Sequence, residues 1–114
     1  MRILFVGAVE FSRHCLKEVL NNGGDVVAVL TLPVENSAFH SDYANLSEIA
    51  RKHLIPVYDI YNTINSSENI ELITGIQPDV IFVFGWSQLI SKEILRIPEL
   101  GCIGTHPALL PRNR

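Results

Sequence analysis

Three short runs, Ile3 to Val6, "DVVAVL" from Asp25 and "PDVIFVF" from Pro78, are apolar at nearly every position and rich in β-branched or aromatic residues. A strand of that kind cannot leave one face in water. It has to be covered on both sides, which is the situation of strands in a parallel sheet whose crossovers are helices. The segments between the runs agree, because their apolar residues recur at helical spacing instead of alternating.

From Glu10 to Leu20, Phe11, Cys15, Leu16, Val19 and Leu20 fall on one helical face, and Asn21-Asn22-Gly23-Gly24 ends the helix before the next strand. Strand, helix and strand form one βαβ unit, expected to be right-handed. After a polar loop from Thr31 to Asp42, the pattern predicts a helix over Ala44 to His53 and a short strand in "IPVYD". A second helical piece over Asn69 to Thr74 is closed by Gly75. Past the "PDVIFVF" strand, a short helix runs over Ser91 to Leu95, with Ser91 as N-cap and Glu93 in the first turn, and "GCIGTH" is the last strand. The expected fold is α/β: a Rossmann-like, open, mostly parallel sheet with helices on both faces.

At 114 residues, the chain is long enough for one core and too short for two. A formal net charge of -3 supplies no basic field for a polyanion. Cys15 and Cys102 are far apart, with no CxxC or Cys/His ligand spacing, so neither a disulfide framework nor a metal site is expected. A reduced, cytoplasmic setting fits. The apolar start "MRILFV" stops at Gly7, too short for a signal segment or a membrane span.

In an open parallel sheet, ligands bind beyond the carboxyl ends of the strands. Three loops lie there. The first is Gly7-Ala8-Val9-Glu10-Phe11; it has only one of the glycines of a GxGxxG fingerprint, so it is either a strand-to-helix turn or a loop whose amides touch a substrate. The second, Phe84-Gly85-Trp86-Ser87-Gln88-Leu89-Ile90, places polar residues after a buried strand; Trp86 is either a core aromatic or a ligand contact. The third is Gly104-Thr105-His106-Pro107. His106 follows a predicted buried strand, whereas His14, His40 and His53 read as solvated.

The segment "GCIGTHPALLP" resembles the signature of the folate-dependent formyltransferases, the methionyl-tRNA and amino-sugar N-formyltransferases among them, in which a His is followed two residues later by Leu-Leu-Pro. "MRILFVGAVEF" is similar to the opening of these enzymes, and "PDVIFVFGWSQLISKEIL" with "IPELGCI" to their middle segment. The resemblance implies transfer of a formyl group from 10-formyltetrahydrofolate to a primary amine, with His106 at the oxyanion, the pterin and formyl group against Phe84 to Ile90, and Gly7 to Phe11 toward the substrate. An amine attacking a formyl carbon needs preorganised donors for the developing oxyanion and a route for the departing proton.

Two departures accompany the resemblance. Where the family has an Asn, this chain has Gly104; loss of one oxyanion donor costs on the order of 10²-fold in rate. The family's catalytic aspartate belongs to a strand downstream of Leu-Leu-Pro. Residues 1–114 are therefore expected to be the N-terminal portion of a formyltransferase catalytic domain, truncated at its C-terminal end and inactive alone, with apolar surface left for the rest of the domain or for a partner, such as a second copy in a homo-oligomer. Thr31 to Ala44 holds Glu35 and Asp42 and no Lys or Arg, which favours a small amine, an amino-sugar nucleotide, over methionyl-tRNA. A non-catalytic Rossmann-like binding module is the alternative from a different class.

Overall fold

A computed structural model describes residues 1–35 and 42–104. Five strands alternate with four helices: β1 (Ile3–Val6), α1 (Glu10–Asn21), β2 (Val26–Thr31), α2 (Ser47–Lys52), β3 (Val57–Asp59), α3 (Ser67–Ile76), β4 (Val80–Val83), α4 (Lys92–Leu95) and β5 (Cys102–Gly104). All four pairings are parallel, and the order across the sheet is β3-β2-β1-β4-β5. The chain walks outward from β1 through β2 to β3, then returns to the other side of β1 for β4 and β5.

The reversal places the helices as the expected handedness requires. Right-handed crossovers running one way across a sheet cover one face, and those running the other way cover the opposite face. Leu4 and Val6 of β1, with Ala28, Leu30, Ile81 and Val83, pack against Ile73 of α3 and Ile94 of α4. On the other face Ile3 and Phe5 meet Leu16 of α1 and Ile49 and Ala50 of α2. All four residues of β1 are buried, consistent with an apolar run that shows no alternation.

The helices end for local reasons. Ser66 and Ser91 cap α3 and α4, their hydroxyls accepting the N–H of Asn69 (3.2 Å) and of Ile94 (3.3 Å). The helix expected over Ala44 to His53 is shorter, because the side-chain oxygen of Asn45 accepts the N–H of Ser47 at 3.0 Å and holds the preceding residues out of the helix. Gly75 does not close α3. The helix continues to Ile76, and Gln77 takes the left-handed cap at φ 56°. Beside that cap, Arg2 clamps β1 to the turn: its guanidinium donates to the carbonyls of Gln77 (3.1 Å) and Ile76 (2.6 Å), and its N–H to the Asp79 carboxylate (2.7 Å). Among the described residues, no helix is long and apolar enough to cross a membrane.

Candidate active site

The point where the strand order reverses lies between β1 and β4, paired from Ile3↔Val80 to Val6↔Val83. Their loops therefore leave the sheet side by side, as ligand binding at a switch point requires. Ser12, fully buried in the first turn of α1, joins them. Its hydroxyl accepts the N–H of Ala8 (3.1 Å) and of Val9 (3.2 Å) and donates to the carbonyl of Phe84 (2.5 Å).

Two glycines make that approach feasible. A Cβ on Gly7 would lie 2.4 Å from the Phe84 carbonyl oxygen and 2.5 Å from the Ser12 Cβ. Gly85 has φ +73°, and a Cβ there would meet the Ser12 hydroxyl at 2.2 Å and a Val9 methyl at 2.4 Å. Gly7, Ser12 and Gly85 thus form one tightly packed contact between the loops.

Above this contact is a cavity of about 240 Å³, lined by Ala8, Val9, Leu32, Asp42, Gly85, Trp86 and Ser87. Of the residues predicted to form a site, it brings together Ala8, Val9, Gly85, Trp86 and Ser87. Others have different work. Gly7 packs beneath, and Glu10 is exposed and pairs with Arg13 at 3.7 Å. The Phe84 ring lies among Phe5, Phe82 and Phe11, 5.9 to 6.2 Å away, on the α1 side of the sheet. Gln88 bridges to the β3–α3 connection, accepting the N–H of Ile64 and donating to the carbonyl of Asn62, both at 2.7 Å. The Leu89 carbonyl is held by Asn65 at 2.8 Å, its side chain is exposed, and Ile90 is core.

The first loop's amides are engaged by the protein. Gly7 N–H donates to Leu30, that of Ala8 to Ser12 and Gly85, that of Val9 to Ser12 and that of Glu10 to Asp42. What this loop offers a ligand is the apolar surface of Ala8 and Val9. The second loop differs: none of the hydrogen bonds among the described residues uses the N–H groups of Gly85, Trp86 or Ser87. Trp86 is a core aromatic, 2% exposed, that also lines the cavity, and its buried indole N–H has no partner among the described residues. An unpaired buried donor costs about 1–3 kcal/mol, a cost that falls on the indole N–H, while exposed Ser87 can turn its amide to water. The cavity's volume lies a little below the roughly 300–1,000 Å³ of small-molecule pockets.

The sequence reading did not single out Leu32 and Asp42 as site residues. Asp42 belongs to a segment laid across the first loop: its carbonyl accepts the Glu10 N–H (2.9 Å), Ala44 N–H donates to the Ala8 carbonyl (3.0 Å), and Tyr43 pairs with Val9 in an antiparallel bridge. The Tyr43 hydroxyl donates to the Leu32 carbonyl at 3.0 Å. The signal for this was a carboxylate in a polar loop, which reads as solvated until the fold closes. β5 ends at Gly104 beside Val83; Thr105, His106, Pro107 and the Leu-Leu-Pro segment lie outside the described residues, as does His40. His14 and His53 are exposed, as expected.

A family model described as formyl transferase matches residues 1–114. The chain is 35% identical over its whole length to a methionyl-tRNA formyltransferase of Thermotoga maritima and 37% identical to one of Clostridium perfringens, and it spans 37% of each relative's length. Among solved structures, a phosphoribosylglycinamide formyltransferase of Bacillus halodurans superposes with a TM-score of 0.69 at 20% identity, over 98% of this chain and 59% of that one. A glycinamide ribonucleotide transformylase of Geobacillus kaustophilus gives 0.67 at 20% identity, over 97% and 60%.

Proposed function

The chain belongs to the formyl transferase family, and on that premise we propose that the protein carrying it transfers a formyl group from 10-formyltetrahydrofolate to the α-amine of methionyl-tRNA. The observation that carries this reading is whole-length identity of 35% and 37% to methionyl-tRNA formyltransferases. It replaces the amino-sugar nucleotide as first choice. The acidic loop from Thr31 to Ala44 argues against a phosphate contact at that loop and nowhere else, and residues aligned to 37% of a relative carry no information on where the remainder holds its polyanion.

In the proposed site the pterin edge meets the N–H groups of Gly85 to Ser87, which are unbonded among the described residues, and the formyl carbon faces the cavity between the two loops. His106 follows Gly104 by two residues, a reach of at most about 7 Å from the end of a strand that abuts β4. From there it acts on the developing oxyanion as the amine attacks. Gly104 supplies no side-chain donor to help it, so transfer is slow relative to an enzyme with Asn in that place.

The test follows formyl-amine formation with 10-formyltetrahydrofolate and either methionyl-tRNA or an amino-sugar nucleotide as acceptor. Residues 1–114 alone are expected to be inactive. The same residues continued by the remaining domain of the Thermotoga maritima relative are expected to formylate methionyl-tRNA, to lose most activity on His106→Ala and to gain on Gly104→Asn. Preference for the amino-sugar nucleotide would reverse the choice of acceptor. Folate binding without turnover on either acceptor would support a binding module, and full activity in residues 1–114 or indifference to His106→Ala would overturn the catalytic assignment.

A further inference from the structure

The cavity at the switch point has two chemically different walls. On the β4 side are the backbone N–H groups of Gly85 to Ser87 and the indole N–H of Trp86, all donors and none bonded among the described residues. Among the described lining residues the one ionisable residue is Asp42, which is exposed; Leu32, Ala8 and Val9 complete the lining, and no Lys, Arg or His is among them. A ligand satisfying both walls offers acceptors to one and a cation or N–H donors to the other. The oxygens of tetrahydrofolate and its formyl group supply acceptors, and its pterin ring adds neutral N–H donors but no cation. The amine that receives the formyl group supplies the second kind of group.

We propose that Asp42 is the recognition site for the acceptor's amino group, receiving it as an ammonium and holding it against the formyl carbon; the inference rests on formyl transfer to methionyl-tRNA as the reaction. Geometry supports it beyond the presence of a carboxylate. Asp42 is not on a free loop, since its own carbonyl accepts from Glu10 at the start of α1, the Ala44 N–H donates to Ala8 in the loop after β1, and the Tyr43 hydroxyl donates to Leu32 just past β2. These bonds, made by Asp42 and the two residues after it, hold the backbone from which the side chain begins before any ligand arrives. Glu10 N–H, which bonds the Asp42 carbonyl, ties this position to the start of α1. Asp42 therefore connects the acceptor side to the same Ser12-centred contact that holds the donor side.

Asp42 binds the protonated amine, and the attacking form appears when the ammonium gives one proton to solvent water, leaving the amine lone pair free and Asp42 a carboxylate. A charged hydrogen bond to the ammonium is worth more than a neutral one, and an isosteric amide keeps the shape while removing the charge. The effect therefore belongs to binding of the acceptor and leaves the donor untouched.

The experiment uses the full-length protein, its Asp42→Asn and Asp42→Ala variants, methionyl-tRNA, and the same tRNA acylated with the analogue that has hydrogen in place of the α-amino group. The parent is expected to bind methionyl-tRNA at least tenfold more tightly than the deaminated form. Asp42→Asn is expected to reduce that ratio toward one, with KM for methionyl-tRNA raised about tenfold and the dissociation constant of the reduced folate within twofold of the parent. Asp42→Ala should behave alike, and neither change should alter the melting temperature by more than about 2 °C. An unchanged ratio in Asp42→Asn, or equal weakening of folate and methionyl-tRNA, would overturn the assignment. A parent protein that does not formylate methionyl-tRNA at all would refute the functional reading, and with it this inference, before any variant is compared.

Discussion

Replacing Ser12 with Ala removes one oxygen and leaves the shape of the contact between the two site loops almost unchanged. The loss is confined to hydrogen bonds. The Phe84 carbonyl loses its hydroxyl donor at 2.5 Å. Ala8 N–H keeps a second, longer acceptor in the Gly85 carbonyl at 3.3 Å, and half-exposed Val9 can turn its N–H to water. One carbonyl is thus left wholly without a partner and one amide keeps a poorer one. With about 1–3 kcal/mol for each unsatisfied buried group, the change should destabilise the domain by about 2–3 kcal/mol. For a cooperative unit of 114 residues, at about 2.1 cal/mol/K per residue, each kcal/mol lowers the melting temperature by about 4 °C, so the expected drop is about 8–12 °C. Ser91→Ala is the comparison. It removes an ordinary helix cap with a 3.3 Å bond and should cost about 1 kcal/mol. Thermal unfolding followed by circular dichroism measures both. A Ser12→Ala protein that melts within 2 °C of the parent, or above Ser91→Ala, would show that the hydroxyl does not join the loops.

Gly85→Ala and Gly101→Ala both place a methyl at positive φ, yet only the first meets atoms, at 2.2 Å, while the second meets open space. We expect Gly101→Ala to cost about 1–2 kcal/mol through backbone strain alone and Gly85→Ala at least twice that, measured by urea unfolding; equal costs would refute the packed contact. Trp86→Ala should weaken binding of a reduced folate more than Trp86→Phe, which keeps a ring in the cavity wall but no N–H; calorimetry that finds all three proteins equal removes Trp86 from the site. Burial pushes the Cys102 thiol up to about 11 from 9.0. The unfolded chain therefore ionises first as pH rises, so this residue's contribution is intact below pH 9 and is lost between pH 9 and about 11. Cys102→Ala should flatten the fall in stability over that window, and a slope identical to the parent's would mean that the thiol does not titrate there.

The strands were legible because their burial leaves no alternative: β1 and β4 are apolar at every position, and only a sheet covered on both faces accepts that. Element boundaries were less so. Gln77 adopts the left-handed cap that a glycine two residues earlier seemed to provide, since the helix end is set by where Arg2 and Asp79 dock and not by the best local cap residue. For the site, the loops after β1 and β4 could be named from their place after buried strands. Which members face the cavity could not. Phe84 and Phe11 turn to the α1 side, and Gln88 is committed to residues of the β3–α3 connection 24 and 26 positions earlier. Ser12 was invisible as a site residue because its partner, Phe84, is 72 residues away, and Asp42 because a carboxylate in a polar loop carries no sign of the cavity it will border.

The neighbour relation of β1 and β4 also sets a schedule. Arg2 and Asp79 are 77 residues apart, while β1 and β2 are joined by a single helix. As the chain leaves the ribosome at about 5–20 residues per second, β1 can pair with β2 several seconds before β4 exists. During that interval the β4-facing edge of β1 is open, and the first loop has Ser12 but no second loop to hold. The cavity cannot appear gradually: it is absent until β4 docks, and is then closed by a single event that supplies the Phe84 carbonyl, Gly85 and Trp86 together. A nascent chain stalled before Val80 would expose a bare, apolar strand edge of the kind that invites pairing with another chain, and one stalled well beyond Ser87 would have both loops of the cavity in place.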